Sequence, residues 1–411
     1  NKKEANKIVI KILSDVGLRN PDKITDCYPH QLSGGMQQRV MIAMAISCKP
    51  ELIIADECTT ALDVTTQLQI LDLLKEISKK INTAILLITH NLAVVSHICS
   101  RVYVMFEGKT IETATSKDLF NKPNHSYTKQ LLNSSRQIEN DEFYSAKKDN
   151  EILNIKNIKR FFKLPSTKKP LKAVNGISFL LKEGEILGIA GESGSGKTTV
   201  ANLLMGLIKN SSGQISFLNK EINHYIKHQR INFRKNIQMI FQDPYGSLNP
   251  RKTIGSTLSL ALKIHFKLKD EALRKKVFEL LNMVELSPPK DFFDRHPHEL
   301  SGGQQQRVAI ARAISTKPKL IISDEAVASL DMSIRSDILK LLKKINKETK
   351  VSMIMISHDL SVLKNMCSRI AVMHLGKIVE IGSKKEIFNN PKENYTKSLI
   401  SATLEIPNIE R

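Results

Sequence analysis

The chain has 411 residues, of which 41% are hydrophobic and 25% charged, and this length and composition predict two or three folded domains. No apolar run approaches the roughly 18–20 residues that a membrane-spanning helix requires, so any membrane role would come through a partner. The net charge of +21 comes mostly from lysines spread along the chain, which disfavours a dedicated nucleic-acid-binding patch. The five cysteines match no metal motif or disulfide framework and favour a reducing cytosol.

Short β-branched runs alternate along the chain with longer helical patterns, which predicts an α/β fold with a mainly parallel sheet. The runs have the apolar character of buried strands. In chain order they cover residues 52–55, 84–89, 186–190, 237–241, 320–323 and 351–357. Helices are predicted between them, among others over residues 198–207 and 304–314.

An internal repeat relates the two ends of the chain. Pro29-His30-Gln31-Leu32-Ser33-Gly34-Gly35 returns as Pro297-His298-Glu299-Leu300-Ser301-Gly302-Gly303, so that Ser33 corresponds to Ser301. Later landmarks keep the same offset without insertion, as from Cys99-Ser100-Arg101 to Cys367-Ser368-Arg369. The repeat predicts two copies of one domain.

The offset also predicts that the first copy begins in its middle, because residue 1 corresponds to residue 269. We therefore expect an N-terminally truncated fragment of a longer protein, with a natural half-domain as the alternative. The predicted domains are the C-terminal part of a first copy, residues 1–133, and a complete second copy, residues 151–411. Residues 134–150, with mixed charge and weak periodicity, are predicted to form a linker between them.

A phosphate-binding loop is predicted at Gly191-Glu192-Ser193-Gly194-Ser195-Gly196-Lys197-Thr198. The run fits the pattern G-x-x-x-x-G-K-[ST] and lies between a predicted strand and a predicted helix, the context that the motif requires. Its glycines let backbone N–H groups face phosphate oxygens, and the helix N-terminus adds positive potential. We expect Lys197 to neutralise the β- and γ-phosphates, the Thr198 hydroxyl to bind Mg²⁺ and Thr199 to complete the phosphate cradle. The motif alone does not distinguish between classes of P-loop protein.

An acidic pair, Asp324-Glu325, follows the predicted strand at 320–323. Asp324 can bind the metal at the end of that strand, and Glu325 can orient and deprotonate a water molecule. A helix-capping acidic pair is the alternative, but its recurrence as Asp56-Glu57 disfavours that interpretation.

Two further polar side chains follow predicted strands. His358 follows Asp324 at the same spacing at which His90 follows Asp56, and Gln242 lies at the end of the strand at 237–241. Alone, either residue would be unremarkable.

A Ser-Gly-Gly turn precedes a predicted helix in each copy, as Leu32-Ser33-Gly34-Gly35-Met36 and as Leu300-Ser301-Gly302-Gly303-Gln304. Such a turn can be a helix cap only. It can also be a second anion site with bare N–H groups and a hydroxyl. Both turns precede an Asp-Glu pair at the same spacing, which favours the second interpretation.

Together these motifs resemble the Walker A, Q-loop, signature, Walker B, D-loop and H-loop motifs of the ATP-binding subunits of ABC transporters. The resemblance implies a RecA-like core, a helical subdomain that carries the signature and an antiparallel β-subdomain. It makes Glu325 the general base, His358 the γ-phosphate sensor and Gln242 the coupling residue near metal and water. It also makes Phe162, or its neighbour Phe161, the aromatic side chain that stacks on adenine.

The implied ligands are ATP and Mg²⁺, with Thr198, Gln242 and Asp324 around the metal. Members of the family pair two domains head to tail, with ATP between the P-loop of one and the signature of the other. One such site is therefore expected to combine residues 191–198 with Ser33-Gly34-Gly35. The other would use Ser301-Gly302-Gly303-Gln304 opposite a segment that this chain lacks. Asp56, Glu57 and His90 belong to that incomplete site and are expected to be catalytically silent.

The sequence departs from the family pattern at four places. Cys58 and Ala326 replace the usual proline after the acidic pair, the second D-loop reads Ala328-Ser329-Leu330-Asp331, and Met36 replaces the signature glutamine. We expect these changes to tune rates, because none removes a phosphate or metal ligand.

Two features resemble the peptide/nickel importer group. They are the segment at 241–251 and the tails Asn124-His125-Ser126-Tyr127-Thr128 and Glu393-Asn394-Tyr395-Thr396, although neither tail keeps the usual His-Pro-Tyr-Thr. Two domains in one chain are similar to fused peptide-type ATPases, including those for glutathione, and the microcin C/peptide type is favoured. The resemblance implies two permease subunits, a periplasmic or lipid-anchored solute-binding protein, and a peripheral position at the cytoplasmic face of the plasma membrane, without nucleic acid. The alternatives are a soluble tandem ABC protein acting on ribosomes and a phosphate-binding relic without turnover.

Overall fold

The computed structural model describes residues 2–59, 62–136, 150–163, 169–328, 330–404 and 406. The chain divides into two compact units, one of Asn1–Arg136 with Ser401–Arg411 and one of Gln137–Ile400. In the described ranges no helix is long and apolar enough to cross a membrane. Most of the predicted linker, residues 137–149, and Ser329 of the D-loop lie outside the described residues.

The first unit contains two small sheets and seven helices among its described residues. Strands β1 and β2 pair in parallel, and β3 and β4 pair antiparallel. Side chains of the first four helices form its main buried cluster. The elements are α1 (Lys2–Asp15), α2 (Pro21–Ile24), α3 (Gly34–Ile46), β1 (Leu52–Asp56), α4 (Val64–Ile81), β2 (Ala84–Ile88), α5 (Leu92–Ile98), β3 (Arg101–Phe106), β4 (Lys109–Thr115), α6 (Ser116–Asn121) and α7 (Ser126–Arg136). Helix α7 thus runs three residues into the predicted linker.

The N-terminal half of the second unit carries an antiparallel sheet and a small helical layer. Its elements are β5 (Glu151–Phe162), β6 (Leu171–Lys182), β7 (Ile186–Ala190), α8 (Lys197–Leu204), β8 (Ser212–Phe217), β9 (Lys220–Glu221), α9 (Ile222–His228), α10 (Arg230–Asn236), β10 (Ile237–Ile240), α11 (Pro244–Ser247), α12 (Ile254–Phe266), α13 (Asp270–Met283) and α14 (Lys290–Phe293).

The C-terminal half completes a large sheet. Its elements are α15 (Gly302–Ile314), β11 (Leu320–Asp324), α16 (Met332–Thr349), β12 (Ser352–Ser357), α17 (Leu360–Met366), β13 (Arg369–His374), β14 (Lys377–Ser383), α18 (Lys384–Asn389) and α19 (Asn394–Ser401).

Two sheets organise the second unit. The larger has the strand order β10-β11-β12-β7-β13-β14 and is parallel except for β14. The smaller is antiparallel, with the order β6-β5-β8-β9. The predicted α/β fold with a mainly parallel sheet is confirmed, and the antiparallel sheet is the one that the resemblance implies.

Alternate residues of the central strands fill two different cores, as the period of two in a strand requires. Ile186 and Ala190 of β7 pack among α12, α13 and α15 to α17. Leu187 and Ile189 pack among β5, β6, β8 and α8. Because both faces of the sheet are covered, β7, β11 and β12 are buried at every position, which explains their unbroken apolar runs.

The strands of the first unit are not buried in this way, which corrects the prediction for residues 52–55 and 84–89. Leu52, Ile54, Leu86 and Ile88 are between 47% and 63% exposed, whereas the equivalent residues of the second copy are at most 2% exposed. In the second unit β7 lies between β12 and β13, but among the described residues of the first unit no strand lies between β2 and β3. The apolar side chains that such a strand and its neighbours would cover are therefore open to solvent.

Two predicted helix boundaries differ from the structure for local reasons. Helix α8 ends at Leu204 rather than at residue 207, because Gly206 adopts φ +62° and lies against the side chain of Ile226. Helix α15 begins two residues earlier than predicted, because Ser301 is its N-cap.

Candidate active site

The predicted site residues meet at one edge of the six-stranded sheet. Strands β10, β11, β12 and β7 are parallel neighbours, so their carboxyl ends lie side by side. Gln242 follows β10, Asp324 ends β11, His358 follows β12, and the loop at 191–198 follows β7. A ligand site at the carboxyl ends of the strands is the usual position in an open parallel sheet.

The loop at 191–198 wraps closely against neighbouring main chain. Gly196 adopts φ +103°, and a Cβ there would collide with the carbonyl oxygen of Ala173. Gly191 adopts φ +149°, and a Cβ there would collide with the carbonyl oxygen of Met373. Only glycine fits at these two positions, so the backbone path of the loop depends on them.

Lys197 closes over this loop. Its Nζ donates to the carbonyl oxygens of Gly191 at 2.8 Å and Glu192 at 2.9 Å, and the side chain is buried. These bonds hold the ammonium group against the main chain of the loop. A cation and backbone donors in this arrangement suit a chain of phosphates.

Asp324 is buried at the end of β11. Burial, followed by the charge of Glu325, raises its pKa to about 6, and the nearby Thr198 hydroxyl and Lys197 ammonium only partly offset this rise. Its Oδ1 is buried without a hydrogen-bond partner in the part of the chain that the structure describes. An orphaned carboxylate oxygen beside a threonine hydroxyl fits a hard divalent cation such as Mg²⁺, which prefers oxygen ligands.

Glu325 is held from two sides. Its Oε1 lies 3.2 Å from Nδ1 of His358, and its Oε2 accepts a hydrogen bond of 3.2 Å from Nε2 of Gln242. Burial opposes its ionisation, but the hydrogen bond and charge of His358 and the charge of Lys197 outweigh burial and lower its pKa. Glu325 is therefore ionised at neutral pH, as a proton acceptor must be. The structure thus brings together the three residues predicted to be catalytic.

The backbone of Glu325 is in the left-handed region, with φ +47°, and its N–H donates to the carbonyl oxygen of Ile356 at 3.0 Å. Glu57 has the same conformation, φ +44°, with its N–H bonded to Ile88. A positive φ is uncommon for a residue with a side chain and is often found at functional sites. The sequence gives no direct sign of it.

Comparison with known proteins decides the family. The model of the ABC transporter family matches residues 1–60 and 174–328, and that of the oligopeptide/dipeptide transporter C-terminal region matches residues 111–161 and 379–411. The chain belongs to the ABC transporter ATP-binding family. It is an ATPase subunit of that family.

Similar curated proteins cover almost the whole chain. The glutathione import ATP-binding protein GsiA of Escherichia coli K12 is 40% identical over 431 residues, which are 98% of this chain and 69% of that protein. The peptidoglycan transport ATP-binding protein YejF of Agrobacterium fabrum is 41% identical over 413 residues, which are 99% of this chain and 75% of that protein.

Similar solved structures cover a little over half of the chain. CbiO1 of Clostridium perfringens, part of an ABC transporter complex, is 31% identical with a TM-score of 0.52, over 59% of this chain and 92% of that chain. The ATP-binding cassette MJ0796 bound to ADP and Pi is 32% identical with a TM-score of 0.51, over 57% of this chain and 99% of that chain.

The two signature turns of this ABC protein are helix caps in the structure. The hydroxyls of Ser301 and Ser33 each accept a bond from the backbone N–H three residues later. The side-chain Oε1 of Gln304 accepts a hydrogen bond of 3.1 Å from the N–H of Ser301, which completes a capping box. Met36 has no side-chain oxygen to accept from the N–H of Ser33. The replacement of the signature glutamine by Met36 therefore removes one hydrogen bond of the cap in the first unit.

The second glycine of each signature turn lies against a neighbouring helix. A Cβ on Gly303 would lie 2.7 Å from the side chain of Ile334, and one on Gly35 would lie 2.6 Å from that of Thr66. Gly34 and Gly302 have more room. The small residues therefore serve packing as well as any anion that binds there.

The acidic pair of the first unit repeats the contact of the second. His90 Nδ1 lies 2.8 Å from Oε1 of Glu57. Asp56 and Glu57 are exposed, in contrast to the buried Asp324. The predicted catalytic silence of Asp56, Glu57 and His90 stays a prediction.

The predicted adenine-stacking residue ends β5. The guanidinium of Arg160 lies over the ring of Phe162, 4.6 Å from its centroid, and the ammonium of Lys172 lies 6.0 Å from the centroid of Phe161. Both rings are partly exposed. Stacking of adenine on Phe162, or on Phe161 as the alternative, stays a prediction.

Arg335 is a residue near the site that the motifs did not predict. Its Nη1 lies 2.9 Å from Oδ2 of Asp359, which follows the H-loop histidine. Its Nη2 donates to the D-loop carbonyl oxygens of Ala328 at 3.4 Å and Leu330 at 3.5 Å. Arg335 thus ties the D-loop to the H-loop. The equivalent positions of the first copy hold Gln67 and Asn91, so the only sequence sign was this difference between the copies.

We expect Arg335→Gln to destabilise the protein by about 1–2 kcal/mol, because it leaves the half-buried carboxylate of Asp359 without its cation. ATP turnover should fall a few-fold, since the D-loop loses its tie to the H-loop. Urea unfolding and steady-state hydrolysis measure the two effects. The pair Arg335→Gln/Asp359→Asn, which copies Gln67 and Asn91, should be more stable than the sum of the single changes predicts. Additive effects would mean that the two side chains do not interact.

Proposed function

We propose that this chain is the ATP-hydrolysing motor subunit of an importer for peptides or a peptide-like solute. The observation that carries the proposal is the joint position of Lys197, Asp324, Glu325, Gln242 and His358 at one sheet edge, in a chain whose tail regions match the oligopeptide/dipeptide transporter model. The relatives named for glutathione and peptidoglycan transport support the importer class.

The residues have separate roles in the proposed reaction. Lys197 and N–H groups of the loop at residues 191–198, apart from that of Glu192, which bonds to Tyr395, bind and orient the phosphates of ATP. Glu325, ionised and held by Gln242 and His358, accepts the proton of the attacking water. His358 then contacts the γ-phosphate while it fixes the carboxylate.

Thr198, Asp324 and Gln242 are the side chains that would hold Mg²⁺, with Asp324 the best supported by its orphaned buried oxygen. Bound Mg²⁺ would neutralise charge on the phosphate oxygens. Thr199 and Phe162 complete the proposed contacts to the nucleotide.

The proposed partners are two integral-membrane permease subunits and a periplasmic or lipid-anchored solute-binding protein. We place the chain at the cytoplasmic face of the plasma membrane as a peripheral protein. The pairing of the P-loop with Ser33-Gly34-Gly35, and of Ser301-Gly302-Gly303-Gln304 with a further P-loop, stays a prediction. The ribosome-associated alternative is not favoured, because the relatives reported above are named for glutathione import and peptidoglycan transport.

The test is to express the full-length protein together with the permease subunits and to reconstitute the purified complex. We expect it to co-purify with that permease and its ATP hydrolysis to rise several-fold when a peptide-loaded binding protein is added. The empty binding protein is the control. Hydrolysis that needs no permease and responds to ribosomes instead would contradict the importer assignment.

A further inference from the structure

The C-terminal tail of the second unit is fixed to the hairpin of β13 and β14. The carboxylate of Glu380 on β14 accepts hydrogen bonds from the backbone N–H groups of Lys392 at 2.9 Å and Glu393 at 3.2 Å. These bonds set the start of α19. The ring of Tyr395 then lies on the ring of His374 at the end of β13, with centroids 3.9 Å apart.

The same tyrosine reaches the ATP site. Its Oη accepts a hydrogen bond of 3.2 Å from the backbone N–H of Glu192, the second residue of the P-loop. Residues 192 and 395 are separated by 203 positions in the chain. The contact therefore joins the importer-type tail, which lies within the matched region 379–411, directly to the phosphate-binding loop.

The hairpin holds the P-loop from the same side. The N–H of Gly376 donates to the carbonyl oxygen of Ser195 at 3.0 Å, and Gly191 lies against the carbonyl oxygen of Met373. Tyr395 adds a third attachment, at Glu192. Together the three contacts hold the loop at residues 191, 192 and 195 before any nucleotide binds.

The first unit shows that a tail of this kind can dock on its hairpin without a bond from a P-loop N–H to the tyrosine hydroxyl. Glu112 accepts bonds from the N–H groups of Asn124 at 2.8 Å and His125 at 3.1 Å, and the ring of Tyr127 lies 4.3 Å from that of Phe106. This is the arrangement of Glu380, Tyr395 and His374. No P-loop lies in the described part of the first unit, so the tail docks on its hairpin without one. The bond from Glu192 to Tyr395 is thus an addition to the docking, and not its cause.

We propose that Tyr395 is a positioning residue of the ATP site, through which the docked tail sets the affinity of the P-loop for ATP. A loop that is already fixed loses less conformational freedom when it binds the triphosphate, so its affinity is higher. Anything that lifts the tail from the hairpin would release Glu192 and weaken ATP binding. The inference rests on the ATPase assignment and adds a role for the tail.

The test compares Tyr395→Phe with Tyr225→Phe in the full-length protein. Phenylalanine keeps the ring on His374 and removes only the oxygen that accepts from Glu192. We expect Tyr395→Phe to raise both the Kd and the KM for ATP about 3- to 10-fold, the usual effect of one lost hydrogen bond, with kcat within about two-fold of wild type. Tyr225→Phe is the matched control, because Tyr225 on α9 is buried against Phe217 and Phe233 and makes no hydrogen bond to the P-loop in the described part of the chain; its Kd for ATP should equal that of wild type.

Hydrogen exchange gives a second readout at the atom concerned. In the absence of nucleotide, the amide of Glu192 should exchange faster in Tyr395→Phe, while the amides of Lys392 and Glu393, bonded to Glu380, should keep their protection. Faster exchange at all three would mean that the ring change undocks the tail, and would overturn the proposed positioning role.

The two hypotheses fail in different ways. A wild-type protein that binds no ATP would overturn the proposed function and this inference together. A wild type that binds and hydrolyses ATP, with Tyr395→Phe unchanged in Kd or changed only in kcat, would overturn the inference alone. Equal rises in Kd for both tyrosine variants would do the same.

Discussion

Glu325→Gln should reduce ATP hydrolysis by about 10²- to 10⁴-fold while ATP still binds. Glutamine keeps the shape of the side chain and can still bond to His358, but it cannot accept a proton from water. The lowered pKa of Glu325 means that the wild-type carboxylate is already ionised at neutral pH and ready to accept the proton. Phosphate release under steady-state conditions and a separate ATP-binding titration measure the two quantities.

The matched control is Glu348→Gln, an exposed glutamate on α16, which should turn over at the wild-type rate. The assay belongs in the full-length protein. If Glu325→Gln and wild type are equally active, Glu325 is not the base and a site that uses Glu57 carries the turnover. If neither hydrolyses ATP although both bind it, the motor assignment holds only if the permease restores activity.

The central strands and the P-loop were predictable because local sequence determines them. The strand at residues 186–190 has the bounds of β7, since a strand covered on both faces is continuously apolar and the glycine-rich loop marks its end. The position of Gln242, Asp324 and His358 at one edge followed from the same rule. Each lies after a strand, and parallel neighbours bring such positions together.

Contacts between distant elements were not predictable from one sequence. Arg335 meets Asp359 across 24 residues, and Glu192 meets Tyr395 across 203 residues. Neither pair leaves a periodic or compositional signal. The exposure of Ile54 and Leu86 was missed for a related reason. An apolar run indicates that a strand can be buried, but only its neighbours in the fold decide whether it is.

At Asp324 a feature that suits the proposed metal site lowers the stability of the metal-free fold. Its side chain is buried, its Oδ1 has no hydrogen-bond partner among the described residues, and Glu325 brings a second negative charge. A charge in such a place destabilises a protein unless a cation accompanies it. The residue is therefore suited to a bound metal and unsuited to the metal-free fold.

The sign of the pH effect follows from the raised pKa. Since the pKa of Asp324 rises from 3.8 to about 6 on folding, the protonated carboxyl favours the folded state at pH values below 3.8. That contribution is lost as the pH rises through about 6, where the carboxyl ionises in the folded protein. Above pH 6 the buried negative charge opposes folding unless a cation is bound beside it.

Asp324→Asn should therefore stabilise the metal-free protein at pH 7.5 by as much as about 3 kcal/mol, the energy of a shift of roughly two pKa units. At pH 4 the gain should nearly vanish, because the wild-type carboxyl is then protonated as well. The same change should lower Mg²⁺-dependent hydrolysis by about 10²-fold or more, since the metal loses a charged ligand. Urea unfolding in a chelator at both pH values, beside the exposed control Asp337→Asn, measures the stability term. If Asp324→Asn is less stable than wild type at pH 7.5, an unseen partner already balances the charge of Asp324. If the variant is more stable and has lost turnover, this buried carboxylate serves the metal and not the fold.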